Sequence, residues 1–204
     1  MAGIEITIPN QLENLQLPSP ELLSYYQDLG ERIIWLDDEV NEYTLDIAKK
    51  IIDWNRADKK KPIEKRKPIK IMFFSPGGAL DVNNTLIDII TLSETPVWGI
   101  NMGRCCSAAA YIFLSCHKRF MLPKSYFLYH QGSGAFSGTY GEVCAQMEDY
   151  QASIGELMEF MLKHTKYTEE ELTEKIVGEW YIYPAEAVAK GICDEVVTSI
   201  STLL

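Results

Sequence analysis

Met102-Gly103-Arg104-Cys105-Cys106-Ser107-Ala108-Ala109-Ala110 follows closely on the apolar segment Val97-Trp98-Gly99-Ile100. The apolar segment reads as a strand over residues 96–100. The small residues after it read as a helix over about 105–115, with one serine near its opening. Small neighbours let another backbone or a substrate approach closely, and a serine at a helix start sits beside N–H groups that have no intrahelical partner. Upstream lies Ser75-Pro76-Gly77-Gly78, a turn able to bare backbone donors. Downstream lies His130, in Phe127-Leu128-Tyr129-His130-Gln131. A serine, a histidine and a glycine turn are the parts of an acyl-transfer site.

Further strands are expected over residues 32–36, 69–74, 120–122 and 125–129, and helices over about 40–54 and 79–93. Short apolar strands alternating with amphipathic helices indicate an α/β fold whose sheet is largely covered. Residues 1–20 read as a polar, proline-containing lead-in, with a helix starting at Ser19-Pro20-Glu21. Residues 21–204 then form a single domain. Within it, residues 131–166 stand apart: the glycine-rich Gly132–Gly138 stretch is too flexible for a central strand. A long helix should follow, because Val143, Met147, Tyr150, Ile154, Leu157 and Met161 form a heptad-like seam opposite Glu142, Glu148, Glu156 and Glu159. That seam either packs back on its own domain or meets a copy in another subunit. Thr168-Glu169-Glu170-Glu171 matches a capping box and starts a helix ending near Gly178. Pro184 opens a last short helix, closed by Gly191 before Val196-Val197.

The 204-residue length and 47% hydrophobic content allow one domain with a sizeable core. A net charge of −10 argues against nucleic acid as the main partner. The exception is the basic stretch from Arg56 to Lys70, which reads as a solvated loop, with a docking patch as the alternative. Five cysteines without a C-x-x-C pair suit neither zinc nor a disulfide framework and fit reduced thiols in the cytoplasm. The start lacks signal-peptide character and no apolar run could span a bilayer, so a soluble intracellular protein is expected.

Serine needs a base in contact with its hydroxyl and an orienter behind that base. Of the three histidines, His117 reads as part of an exposed turn and His164 lies near the end of the long helix. His130 sits at a strand end before a glycine-rich loop, where a catalytic group is well presented. At this point the chain resembles the proteolytic subunit of the Clp proteases (ClpP) and its shorter phage-type relatives. The resemblance runs from about Ser24 to Val197. It is carried by Gly30-Glu31-Arg32-Ile33-Ile34-Trp35-Leu36, Ser75-Pro76-Gly77-Gly78, Met102-Gly103, Ser107-Ala108, Leu122-Pro123, His130-Gln131 and Ala185-Glu186-Ala187-Val188, in that order.

The resemblance implies a ClpP/crotonase-type spiral of ββα units with residues 131–166 as a projecting helical handle. It implies Ser107 as nucleophile, His130 as general base, and an oxyanion hole from the backbone N–H groups of Gly78 and Ala108. Family members carry an aspartate as third triad member; the matching residue here is Glu179, with Asp149 and Glu174 as weaker candidates. The implied activity is that of a serine endopeptidase cutting peptides and unfolded polypeptides inside a homo-oligomeric ring, heptameric and open to stacking in pairs. No cofactor is expected in the peptidase itself, ATP being used by a partner AAA+ unfoldase; neither nucleic acid nor membrane is an expected partner.

Several departures bear on partners. The charged pair that joins stacked rings in housekeeping members is replaced by Val177, Gly178 and Trp180 around Glu179. The unfoldase-docking positions map partly to Lys70 and Met72, with Phe120 and Leu122 retained. Two rival readings follow: an inactive scaffold subunit of a mixed ring, and a crotonase-type acyl-CoA enzyme using the same oxyanion hole.

Overall fold

The computed structural model describes residues 19–203 apart from Val177, so the expected lead-in falls almost wholly outside the described residues. The chain divides into two units, residues 1–31 and 32–204. In the first, α1 (Pro20–Gly30) begins where the sequence signals a start: Pro20 occupies the first turn and Ser19 Oγ accepts the Leu22 N–H at 3.3 Å.

Among the described residues the second unit carries seven strands in one sheet. They are β1 (Ile33–Leu36), β2 (Ile69–Ser75), β3 (Val97–Cys106), β4 (Lys118–Met121), β5 (Tyr126–Tyr129), β6 (Trp180–Ile182) and β7 (Glu195–Val196). Strands β1-β2-β3-β4-β7 lie side by side and parallel; β5 runs parallel to the end of β3, and β6 closes that side antiparallel to β5. Parallel neighbours need crossovers, and helices supply them: α2 (Leu45–Asp58) between β1 and β2, α3 (Leu80–Thr91) between β2 and β3, and α4 (Ala108–Ser115) between β3 and β4. The expected mixed α/β architecture with a covered parallel sheet is the one observed.

Side-chain alternation along β2 explains the layering. Ile69, Ile71 and Phe73 face the helices, joining Ile47 and Ile51 of α2 and Leu86 and Ile90 of α3 in the main core. Met72 faces the other side, where Ile33, Ile100, Phe120, Val197 and Leu203 form a smaller cluster. Every residue of α4 is buried, which accounts for its lack of a polar face. Each large side chain buried in this way contributes about 1.5–3 kcal/mol.

One boundary differs from expectation in a way that matters. Cys105 and Cys106 do not open the helix; they extend β3, paired with Phe127 and Leu128 of β5. Strand β3 changes partner along its length, with Trp98–Asn101 on β4 and Arg104–Cys106 on β5. At the changeover the buried Asn101 bridges the gap: its Nδ2 donates to the Tyr126 carbonyl at 2.8 Å and its Oδ1 accepts the Gly103 N–H at 3.1 Å. The helix therefore starts one residue after Ser107.

The long helix appears as α5 (Tyr140–His164), and its seam splits in two. Leu157 and Met161 are buried and Phe160 meets Tyr111 of α4 edge-on at 6.4 Å, so the C-terminal half packs on its own domain. The N-terminal half is open, with Met147 47% exposed. α6 (Glu169–Lys175) has the expected capping box but ends earlier than Gly178, and α7 (Pro184–Ala189) starts on its proline as expected.

The basic stretch is more than a solvated loop. Arg66 is buried, bonded to the Lys61 carbonyl at 3.0 Å and paired with Glu94 at 3.1 Å. Asp58, fully buried, accepts a two-pronged bond from Arg32, a bond from Lys61 Nζ at 2.9 Å and one from Thr95 Oγ1 at 3.3 Å. The Arg32 guanidinium beside it holds the Asp58 carboxyl well below its ordinary value of 3.8. A folded-state value below the unfolded one adds stability that is complete above the unfolded value and lost as pH falls below it. Asp58→Ala strands a largely buried guanidinium and is expected to cost about 3–5 kcal/mol. Urea unfolding at pH 7 checks this, and the gap between variant and wild type should narrow on acidification below about pH 4.

Candidate active site

The residues singled out in the sequence follow the C-terminal ends of parallel strands: Gly77 and Gly78 after β2, Ser107 after β3 and His130 after β5. In open parallel sheets that edge is where ligands bind, because loops diverge there and leave a crevice. Here the crevice is a cavity of about 360 Å³ lined by Pro76, Gly77, Gly78, Ser107, His130 and Gln131, among others. Its apolar wall comes from Leu80, Tyr111, Tyr150, Ile154 and Leu157.

Ser107 has φ 52° and ψ −126°, a left-handed backbone rare for a residue with a Cβ. This sharp turn joins β3 directly to α4 and presents the side chain to the cavity. Its own N–H is taken by the Leu128 carbonyl at 3.0 Å, continuing the β3–β5 ladder. That leaves the Ala108 N–H, in the first turn of α4, as a donor facing no intrahelical acceptor.

The glycine turn completes the donor arrangement. Val40 donates to the Gly77 carbonyl and accepts from the Ala79 N–H, both at 2.8 Å, forming a parallel bridge centred on Gly78. Such a bridge uses groups on either side of Gly78, so the Gly78 N–H points away from Val40. Gly77 has φ 97°, and a Cβ there would lie 2.6 Å from Ser107 Cβ and from the Cys106 carbonyl. At Gly78 a Cβ would lie 2.2 Å from the Val40 carbonyl oxygen. Neither position accepts a side chain. The glycines bring the turn against the serine.

His130 presents a buried Nε2 that has no hydrogen-bond partner among the described residues. A buried ring nitrogen left unpaired costs about 1–3 kcal/mol and calls for a reason. A reacting hydroxyl or a substrate atom in the cavity would supply one. Cys106, next to Ser107, is a poor competitor as nucleophile, since burial pushes its thiol above the ordinary value.

Glu179 does not line the cavity. The antiparallel register, ending at Tyr129↔Trp180, carries Glu179 to the position opposite His130, one step past the last pair. Its Oε2 accepts the Tyr181 hydroxyl at 2.6 Å, a bond that raises the tyrosine to about 12, ahead of desolvation. The resemblance names Glu179 as the orienter; the structure shows Tyr181 holding one of its oxygens. Asp149 and Glu174 are exposed on α5 and α6 and line no part of the cavity. His117 lies in an exposed bend, its Nδ1 accepting the Val97 N–H at 3.0 Å. The ring of His164 stacks on Phe160 at 4.0 Å.

Sequence reasoning did not assign Tyr111, Tyr150 or Glu39 to the site, though all three line the cavity. Glu39 could have been found from its place just beyond the end of β1, but the two tyrosines reach the cavity through tertiary packing alone.

Comparison with known proteins bears on the family and the fold. The Clp protease family model matches residues 21–200. Subunit 4 of the chloroplastic ATP-dependent Clp protease of Arabidopsis thaliana is 28% identical over 178 residues, covering 86% of this chain and 59% of that protein. The chain thus spans less than two thirds of that relative's length. ATP-dependent Clp protease proteolytic subunit 2 of Treponema denticola is 26% identical over 170 residues, 82% of each chain. The structure of a ClpP1 variant from Listeria monocytogenes superposes with a TM-score of 0.74 at 22% identity, over 88% of this chain and 99% of that one, so the fold is shared. With a parallel sheet of that type and a family match across most of its length, the chain belongs to the Clp protease family.

Proposed function

We propose that the protein is a serine endopeptidase acting on peptides and unfolded polypeptides. The observation that carries this is one cavity holding Ser107 on a strained turn, His130 with an unpaired Nε2, and a Gly78 N–H turned away from Val40. In this reading His130 Nε2 takes the Ser107 hydroxyl proton as Oγ attacks the scissile carbonyl. The developing oxyanion accepts from the Gly78 and Ala108 N–H groups, each worth about 3 kcal/mol where such donors have been removed. The imidazolium then returns the proton to the leaving amine, and water cleaves the acyl-enzyme by the same steps in reverse. Glu179 orients the imidazole through Oε1, since Tyr181 occupies Oε2.

The working form in this proposal is a cytoplasmic homo-oligomeric ring. It needs no cofactor of its own, and a partner AAA+ unfoldase spends ATP to deliver chains. The open N-terminal half of α5 is the surface offered to a facing ring. A contact through Val143 and Met147 would be apolar and would resist salt, unlike a surface ion pair. Sedimentation at low and high salt tests this: assemblies should persist at high salt. Rings that fall apart there contradict the apolar contact, and a monomer under all conditions contradicts the ring.

A second reading, an inactive scaffold subunit, has one observation in its favour. Among the described residues no hydrogen bond joins Ser107, His130 and Glu179 to one another. Peptide hydrolysis by the purified protein separates the two readings.

A further inference from the structure

The same cavity is lined by one carboxylate, which the proposed chemistry leaves unused. Glu39 lines it beside Pro76, Gly77 and Gly78, and no Lys or Arg side chain is among its lining residues. Its backbone is held firmly. Ser75 Oγ donates to the Asp38 carbonyl at 2.6 Å and accepts the Gly77 N–H at 3.2 Å. On the other side of Glu39, Val40 is bonded to both Gly77 and Ala79 at 2.8 Å. The residues flanking Glu39 are therefore tied to the glycine turn, and the Glu39 backbone is held beside the turn that carries the Gly78 N–H. Its carboxylate has no ion-pair partner among the described residues.

We propose that Glu39 is a specificity-determining residue that selects substrates carrying a lysine or arginine close to the scissile bond. The inference rests on the peptidase reading and deepens it. Long cationic side chains suit the site physically. Their methylene stems can lie along the apolar wall of Leu80, Tyr150 and Ile154 while the charged head stays at the hydrated rim beside the carboxylate. An acidic substrate residue at that point meets like charge, reinforced by Asp37 and Asp38 next in the chain. Because Glu39 is exposed, the selection is modest and screened by salt.

The test uses fluorogenic peptides identical except at one residue, which is lysine, norleucine or glutamate, placed in turn at each of three positions before the scissile bond. Norleucine keeps the stem and removes the charge. At one position the wild-type protein should cleave the lysine peptide with a kcat/KM about two- to fivefold above that of the norleucine peptide. The glutamate peptide should be slowest, and the ratios should shrink in high salt. In Glu39→Gln the lysine-to-norleucine ratio should fall to about one, and in Glu39→Lys the glutamate peptide should overtake the lysine peptide. Equal rates for lysine and norleucine at every position, or a lysine preference that survives Glu39→Gln, overturn the proposal while leaving the peptidase intact. Absence of cleavage of every peptide removes the peptidase reading and this proposal together, so the two failures are distinct.

Discussion

Ser107→Ala is expected to lower hydrolysis of short fluorogenic peptides by roughly 10⁴- to 10⁶-fold, the loss seen when the nucleophile of a serine triad is removed. The fold should be unaffected. Alanine adopts the φ 52° backbone at about the same cost as serine. Among the described residues the hydroxyl makes no hydrogen bond, so its removal strands no partner. Circular dichroism and urea unfolding should therefore match wild type while turnover collapses. Wild-type turnover in this variant would move the nucleophile elsewhere.

The second large effect concerns Glu179. Glu179→Ala is expected to lower turnover by roughly 10²- to 10⁴-fold, because an imidazole without its carboxylate loses both its tautomer and its stabilisation when protonated. Glu179→Gln is the informative control. Its side-chain carbonyl can still accept the Tyr181 hydroxyl, so local packing is kept while the charge is removed. If the carboxylate orients His130, the glutamine variant falls nearly as far as the alanine variant. Glu179→Asp should be milder than either, keeping the charge with a shorter reach. Normal kinetics in Glu179→Ala would show that another group, or none, positions the histidine.

How far these features could be read from the chain depends on the range of the forces behind them. Helix starts were legible because caps are local. Ser19-Pro20, Thr168 with Glu171, and Pro184 each mark the first turn of a helix in the structure. The covered strands were legible as short apolar runs, since both faces of β2 are buried along most of its length. The end of β3 was not legible. Small residues from Cys105 onward read as helix, and only pairing with a strand some twenty residues later makes them extended. The short strand β6 was missed for the same reason, its partner β5 lying far back in the sequence.

The site divides along the same line. Gly78, Ser107 and His130 stood out because each sits at the end of an element with a distinctive neighbour, and all three line one cavity. Glu179 was reached through resemblance rather than through any local signal; the strand register gives it a place opposite His130, and its bond to Tyr181 was invisible in the sequence. The basic stretch is exposed over residues 59–65, as charge alone suggests, but charge gives no sign of its buried members. Arg66 is buried there through its bonds to Lys61 and Glu94, and Asp58 through its bonds to Arg32 and Lys61.

The central claim is that Ser107, assisted by His130, is a nucleophile. It is tested most directly by treating the protein with a fluorophosphonate and locating the adduct by peptide mass spectrometry. Such probes react with a serine whose hydroxyl is activated by a neighbouring base and leave ordinary serines untouched. One adduct per chain on Ser107, with labelling greatly slowed in His130→Ala, is the expected result. An unlabelled protein that is folded and assembled, or an adduct on a different residue, would contradict the account.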